Sequence, residues 1–144
     1  MASTTHDLQR FIDAQEPVYD EVCAELADGR KTSHWIWFIF PQLRALGRSG
    51  TAKRFGIADL AEAEAYAAHP LLGRRLRDCA RMVLQVQGRS AHQIFGSPDD
   101  LKLRSCMTLF ERAAPQEPVF AQVLERYYGA ERDRLTLDVV AAAG

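Results

Sequence analysis

The stretch from Pro70 to Gly88 constrains the fold more than any other part of the chain. Its apolar residues Leu72, Leu76, Cys79, Val83 and Val86 recur at intervals of four, three, four and three. That spacing gathers them on one face of an α-helix and would scatter them over both faces of a strand. Pro70 suits the first helical turn, where a missing N–H costs nothing, and Gly88 suits the exit. A helix this amphipathic has to bury its stripe against other elements.

The remaining punctuation is of the same kind. Leu8, Phe11 and Ile12 outline a short helix, and Pro17, Val18, Val22, Cys23 and Leu26 a second one stopping at Gly29. Asp59 to Glu62 resembles a capping box and leads an Ala-rich segment to His69. Ser97 is placed to cap, Pro98 to occupy the first turn, and Asp99 and Asp100 to complement the helix dipole. Pro118 opens a further helix that runs to Gly129, and Asp133 is placed to cap a last one over Leu135, Leu137 and Val139. Few segments alternate with period two. At 144 residues the chain has the size of one domain. The reading is a mainly α fold over residues 1–144: a compact helical bundle of about six to eight helices with at most a minor β element. The run Trp35 to Phe40 is apolar throughout, so it suits either a buried strand or a buried helical turn. Its helical flanks and Pro41 favour the turn. Trp35, Phe38, Phe40, Leu76, Val83, Leu109 and Phe110 are the expected core.

Composition narrows the class. Hydrophobic residues make up 47% and charged residues 26%, as in folded soluble domains rather than disordered chains. The net charge of −1 makes a long nucleic-acid partner an unfavoured reading. The start of the chain lacks the basic and apolar regions of a secretory signal, and its longest apolar run is too short to cross a bilayer. Cys23, Cys79 and Cys106 cannot all pair within one chain. These features point to reduced, buried thiols in the cytoplasm.

The charge is segregated. Residues 1–28 hold seven acids and one base, whereas residues 29–58 hold six bases and no acid. Residues 74–89 hold five arginines and one aspartate. One reading is mutual neutralisation between packed segments. The sharper reading is that both basic blocks converge on an anionic ligand, a phosphate or a nucleotide.

Two motifs combine apolar residues with a few polar ones. In the first, Lys31, Ser33, His34 and Trp37 surround the aromatic run; in the second, Asp100, Lys102 and Ser105 lie on an amphipathic helix. Together with Arg75 they form a candidate cavity for a phosphate-containing small molecule. Lys31, Ser33, Trp37, Lys102, Ser105 and Arg75 would bind, and Asp100 and His34 would act as catalytic groups. Asp100 would polarise water, while His34 or Lys31 steadied a leaving group. The competing reading is structural: a salt bridge between Lys31 and Asp100, a capping or core His34, and Ser105 and Thr108 bonded to backbone carbonyls. Histidine and cysteine spacings give no metal site, and no nucleotide-cofactor loop is present, so neither metal nor cofactor is expected.

The words Asp7-Leu8-Gln9-Arg10-Phe11, Gly29 through Gln42, His69-Pro70-Leu71-Leu72-Gly73, Ile94-Phe95-Gly96 and Asp100 through Phe110 resemble the bacterial Domain of Unknown Function 1810 family. The resemblance runs in order over nearly the whole chain. It implies a compact helical domain and no established reaction. Members are sometimes labelled calpastatin-like, a label without functional weight here. Cys106 stands where many members are expected to carry serine, which argues against a required hydroxyl. A weaker analogy of fold class and pocket chemistry links the chain to the NADAR/YbiA-like N-glycosidases. The functional reading is a pocket for a nucleotide-like or ADP-ribosyl ligand with N-glycosidase-type hydrolysis. The alternative is a noncatalytic ligand-binding or protein-interaction module.

Overall fold

A computed structural model describes residues 7–143. Residues 1–6 and 144 of the single-domain reading lie outside the described residues, including most of the stretch read as lacking a secretory signal. Ten α-helices are present among the described residues: α1 (Gln9–Gln15), α2 (Tyr19–Ala27), α3 (Ile36–Ile39), α4 (Gly50–Arg54), α5 (Leu60–Ala68), α6 (Leu72–Gln85), α7 (Ala91–Phe95), α8 (Asp99–Ala113), α9 (Val119–Tyr128) and α10 (Arg134–Ala143). A 3-10 turn spans Arg44–Leu46. The β content of the described residues is one isolated parallel bridge between Leu43 and Ile57.

The bundle is built around α6 and α8. The α6 helix packs against α2, α5 and α9, while α8 packs against α5, α7, α9 and α10. The periodic residues Leu72, Leu76, Cys79 and Val83 are all buried, as their 4-3-4 spacing requires, while the last of the stripe, Val86, is partly buried at the C-cap, just past the helix end. Helices α5 and α6 approach so closely that a Cβ on Gly73 would stand 2.1 Å from the Ala67 carbonyl oxygen, so only glycine fits there. Edge-to-face and tilted ring contacts run through the core, from Phe11 to Tyr66 (5.0 Å), to Phe110 (5.3 Å) and to Phe120 (6.0 Å). They tie α1, α5, α8 and α9 together.

Several sequence expectations need correction. The helix count exceeds six to eight because α4 and α7 are single turns too short to show a 3.6-residue period, whereas the single turn α3 is the one favoured for Trp35 to Phe40. Within Trp35 to Phe40 only Ile36–Ile39 is helical, and the run is not a strand. Phe38 is partly rather than fully buried, unlike Trp35, Phe40, Leu76, Val83, Leu109 and Phe110. The α6 helix begins two residues after Pro70, capped by His69, whose Nδ1 accepts from the N–H groups of Leu71 (3.1 Å) and Leu72 (3.2 Å). In α8, Pro98 occupies the cap position and Ser97 makes no capping bond. Other caps follow the sequence. The Asp59 carboxylate accepts from the Glu62 N–H (2.9 Å), and Asp133 accepts from the Thr136 N–H (3.0 Å). All three cysteines are free. Burial pushes the Cys79 thiol up to about 12, which leaves it unreactive at neutral pH. Among the described residues no helix is long and apolar enough to cross a membrane.

Candidate functional site

The two polar motifs meet where the loop after α2 passes the start of α8. The Lys31 N–H donates to the Ile94 carbonyl (2.7 Å), which pins this loop to α7. The Lys31 side chain is only 5% exposed, and its Nζ lies 2.6 Å from Asp99 Oδ2 and 5.1 Å from the Trp35 ring centre. Asp99 Oδ1 lies 3.9 Å from Lys102 Nζ, which in turn lies 5.2 Å from the Trp37 ring centre. Two ammonium groups and one carboxylate are thus stacked between two indoles, leaving one positive charge in excess. The Trp37 Nε1–H is buried and has no acceptor. A buried donor without a partner is costly and marks a place where a polar group from outside would be welcome.

The ion pair expected between Lys31 and Asp100 is therefore made by Asp99 instead. Asp100 points its carboxylate to His92, with Oδ2 3.4 Å from Nδ1, and takes the Leu101 N–H (2.9 Å) on Oδ1. Its main-chain oxygen accepts from the Tyr128 hydroxyl. His34 is exposed and makes no side-chain hydrogen bond among the described residues. Ser33 is engaged elsewhere. Glu25 on α2 receives the N–H groups of Thr32 (2.8 Å) and Ser33 (3.0 Å), the Ser33 hydroxyl (2.6 Å) and the Trp35 indole N–H (2.9 Å). Burial alone would raise the Glu25 carboxyl, but these four donors outweigh it and hold the carboxyl at about 2. Ser105 donates to the Leu101 carbonyl (3.2 Å) and Thr108 to the Arg104 carbonyl (2.8 Å), the local bonding that helical hydroxyls favour. Arg75 bonds Gln15 (3.2 Å) and Glu16 (2.8 Å) on the α1 side and covers the Tyr19 ring. Its contacts are not with the Lys31–Lys102 cluster.

Lys102 and Ser105 also line an open groove of about 590 Å³ between the 3-10 turn, α8 and α10. Its apolar lining includes Leu46, Leu101, Leu135 and Val139, and its cations are Lys102 and Arg48. Leu101 (50%) and Leu135 (63%) are the exposed large hydrophobic residues of the described chain. Arg48 has no carboxylate partner among the described residues. Arg48 was not singled out by sequence, although its place in the acid-free block 29–58 was a signal. The exposure of Leu135 had none, because helical periodicity gives the direction of a residue and not whether anything covers it. Asp133 is the carboxylate lining the groove, and it is bound to the Thr136 N–H and hydroxyl (2.6 Å). Among the described residues no three His, Cys, Asp or Glu side chains are grouped to hold a metal ion.

The family model described as "Protein of unknown function (DUF1810)" matches residues 5–140. The chain belongs to this family. A crystal structure of the conserved hypothetical protein Rv1873 from Mycobacterium tuberculosis is similar over 94% of this chain and 96% of its own, with 56% identity and a TM-score of 0.93. At that identity and overlap, the similarity covers the whole helical domain rather than a local motif. No protein with a curated description matches the chain.

Proposed function

We propose that this family member is a noncatalytic binding domain for a phosphate-bearing, nucleotide-like small molecule such as an ADP-ribosyl compound. The groove between the 3-10 turn, α8 and α10 is its site. The observation that carries this reading is the pairing of two exposed leucines with two cations in one groove. Leu101 and Leu135 offer apolar surface to a base or sugar, while Lys102 and Arg48 stand ready for phosphate oxygens. Asp99 already balances Lys31, so Lys102 supplies the excess charge of the cluster.

The N-glycosidase reading draws less support. It needs a carboxylate poised over the ligand, and Asp100 is turned to His92 while Asp133 caps α10. Asp100 is not among the residues lining the groove, and Asp133 already accepts from the Thr136 N–H and hydroxyl. Calorimetry with ADP-ribose, NAD and simple nucleotides tests the proposal. Saturable binding is expected, weakened about tenfold by Lys102→Gln, the loss of one charge-assisted hydrogen bond. No product should form on long incubation. Absence of binding by every one of these compounds would overturn the reading, and turnover would restore the enzymatic one.

A further inference from the structure

On the other side of the 3-10 turn lies a second groove, of about 530 Å³, whose lining carries Arg10, Arg44, Lys53 and Arg54 against Asp7 and Glu62. Its construction is more specific than its charge. The isolated bridge joins residues 42–44 to Ile57 through the Arg44 N–H to the Ile57 carbonyl (2.8 Å) and the Ile57 N–H to the Gln42 carbonyl (2.9 Å). This draws the backbone of Gly56 against Arg44 so tightly that a Cβ on Gly56 would stand 2.3 Å from Arg44 Cα. Only glycine permits that approach, and its consequence is to bring Arg44 beside the end of α4, where Lys53 and Arg54 project.

Arg10 supplies a fixed floor. Its guanidinium donates to the carbonyls of Arg54 (2.8 Å) and Gly56 (2.9 Å) and pairs with Glu62 (3.2 Å). Glu62 also accepts the Ala58 N–H (2.7 Å), so the buried carboxylate is engaged with Arg10 and the backbone. Arg44, Lys53 and Arg54 have no carboxylate partner among the described residues. Complementing the α4 dipole would account for Lys53 and Arg54 at the last turn, but not for Arg44, which comes from another element.

We propose that this groove is an anion site for a compact, multiply charged phosphate, held by Arg44, Lys53 and Arg54 above the fixed Arg10. Three unpaired cations converging from two segments suit a phosphate chain better than a single carboxylate, which one guanidinium would satisfy. The site is separate from the Lys102 groove and stands without it.

The test is a titration of the whole protein with pyrophosphate, followed by amide NMR. Shifts are expected at residue 44 and over residues 50–58. Lys53→Gln, at an exposed side chain with no hydrogen bond or ion pair among the described residues, should weaken binding about tenfold. Lys102→Gln should leave it unchanged. Shifts elsewhere, no shifts at millimolar pyrophosphate, or undiminished affinity in Lys53→Gln would each overturn the proposal. Sedimentation with phosphatidylglycerol vesicles separates a free phosphate from a lipid headgroup. No co-sedimentation is expected, and co-sedimentation lost in Lys53→Gln would overturn the free-anion form.

Discussion

The two basic blocks of this chain have different fates. In residues 74–89, Arg75 reaches Glu16, Arg77 and Arg81 reach Glu117, and Arg81 also reaches Asp78. In residues 29–58 only Lys31 finds a carboxylate, and Arg44, Arg48, Lys53 and Arg54 find none among the described residues. Arg75, Arg77 and Arg81 ride on a central helix packed against segments that carry acids, while Arg74 and Arg89 find no carboxylate among the described residues and Arg89 donates to the Gln93 carbonyl instead. The second block lies on short turns at the edge of the bundle, and its charge stays available on the surface. Segment charge is therefore a poor guide to ligand binding until tertiary neighbours are known, since they decide which cations are already neutralised.

That contrast can be broken by substitution, starting with the paired and buried lysine. Lys31→Ala should cost about 2–3 kcal/mol, because it removes the 2.6 Å partner of Asp99 and leaves it only the more distant Lys102 at 3.9 Å. Urea unfolding measures it, and a loss under about 1 kcal/mol would place Lys31 among the unpaired group. Arg75→Ala should cost about 1–2 kcal/mol by the same measurement. Its bond to the buried Gln15 leaves an acceptor unsatisfied, whereas the exposed Glu16 contributes little.

The Glu25 knot offers a smaller, pH-dependent effect. Its carboxyl is held at about 2 in the folded chain, below the ordinary value of 4.5. A depressed folded value contributes stability that is complete above about 4.5 and is lost as pH falls toward 2. Glu25→Gln should flatten that part of a melting-temperature profile. An unchanged slope would mean the four donors do not hold the charged form. The smallest effect belongs to the unpaired block: Arg48→Gln should change stability by less than about 0.5 kcal/mol, while lowering ligand affinity.

Much of the fold was legible from periodicity. The helices α2, α5, α6, α8 and α9 each bury a recurrent stripe, α10 leaves Leu135 of its expected stripe exposed, and the caps at Asp59 and Asp133 stand as residue types in the right place. One-turn elements carry no such period, so α4 and α7 have no sequence signature of that kind, including the Ser90–Gln93 capping box of α7, whereas α3 is the turn that the flanks of Trp35–Phe40 favour. At the site, sequence brought Lys31 and Lys102 into one hypothesis. It could not separate Asp99 from Asp100, because neighbours on a helix point about 100° apart and only the packing of α8 decides which one meets Lys31. The use of Ser33 by Glu25 depends on the fold of the loop after α2, and no local pattern announces it.

Whether the Lys102 groove receives a phosphate-bearing ligand is decided by a crystal structure of the protein soaked with ADP-ribose. The ligand is expected between α8 and α10, with phosphate oxygens in hydrogen-bond reach of Lys102 and Arg48 and its apolar part on Leu101 and Leu135. A groove left empty at saturating ligand, or ADP-ribose bound away from Lys102, would contradict the proposal.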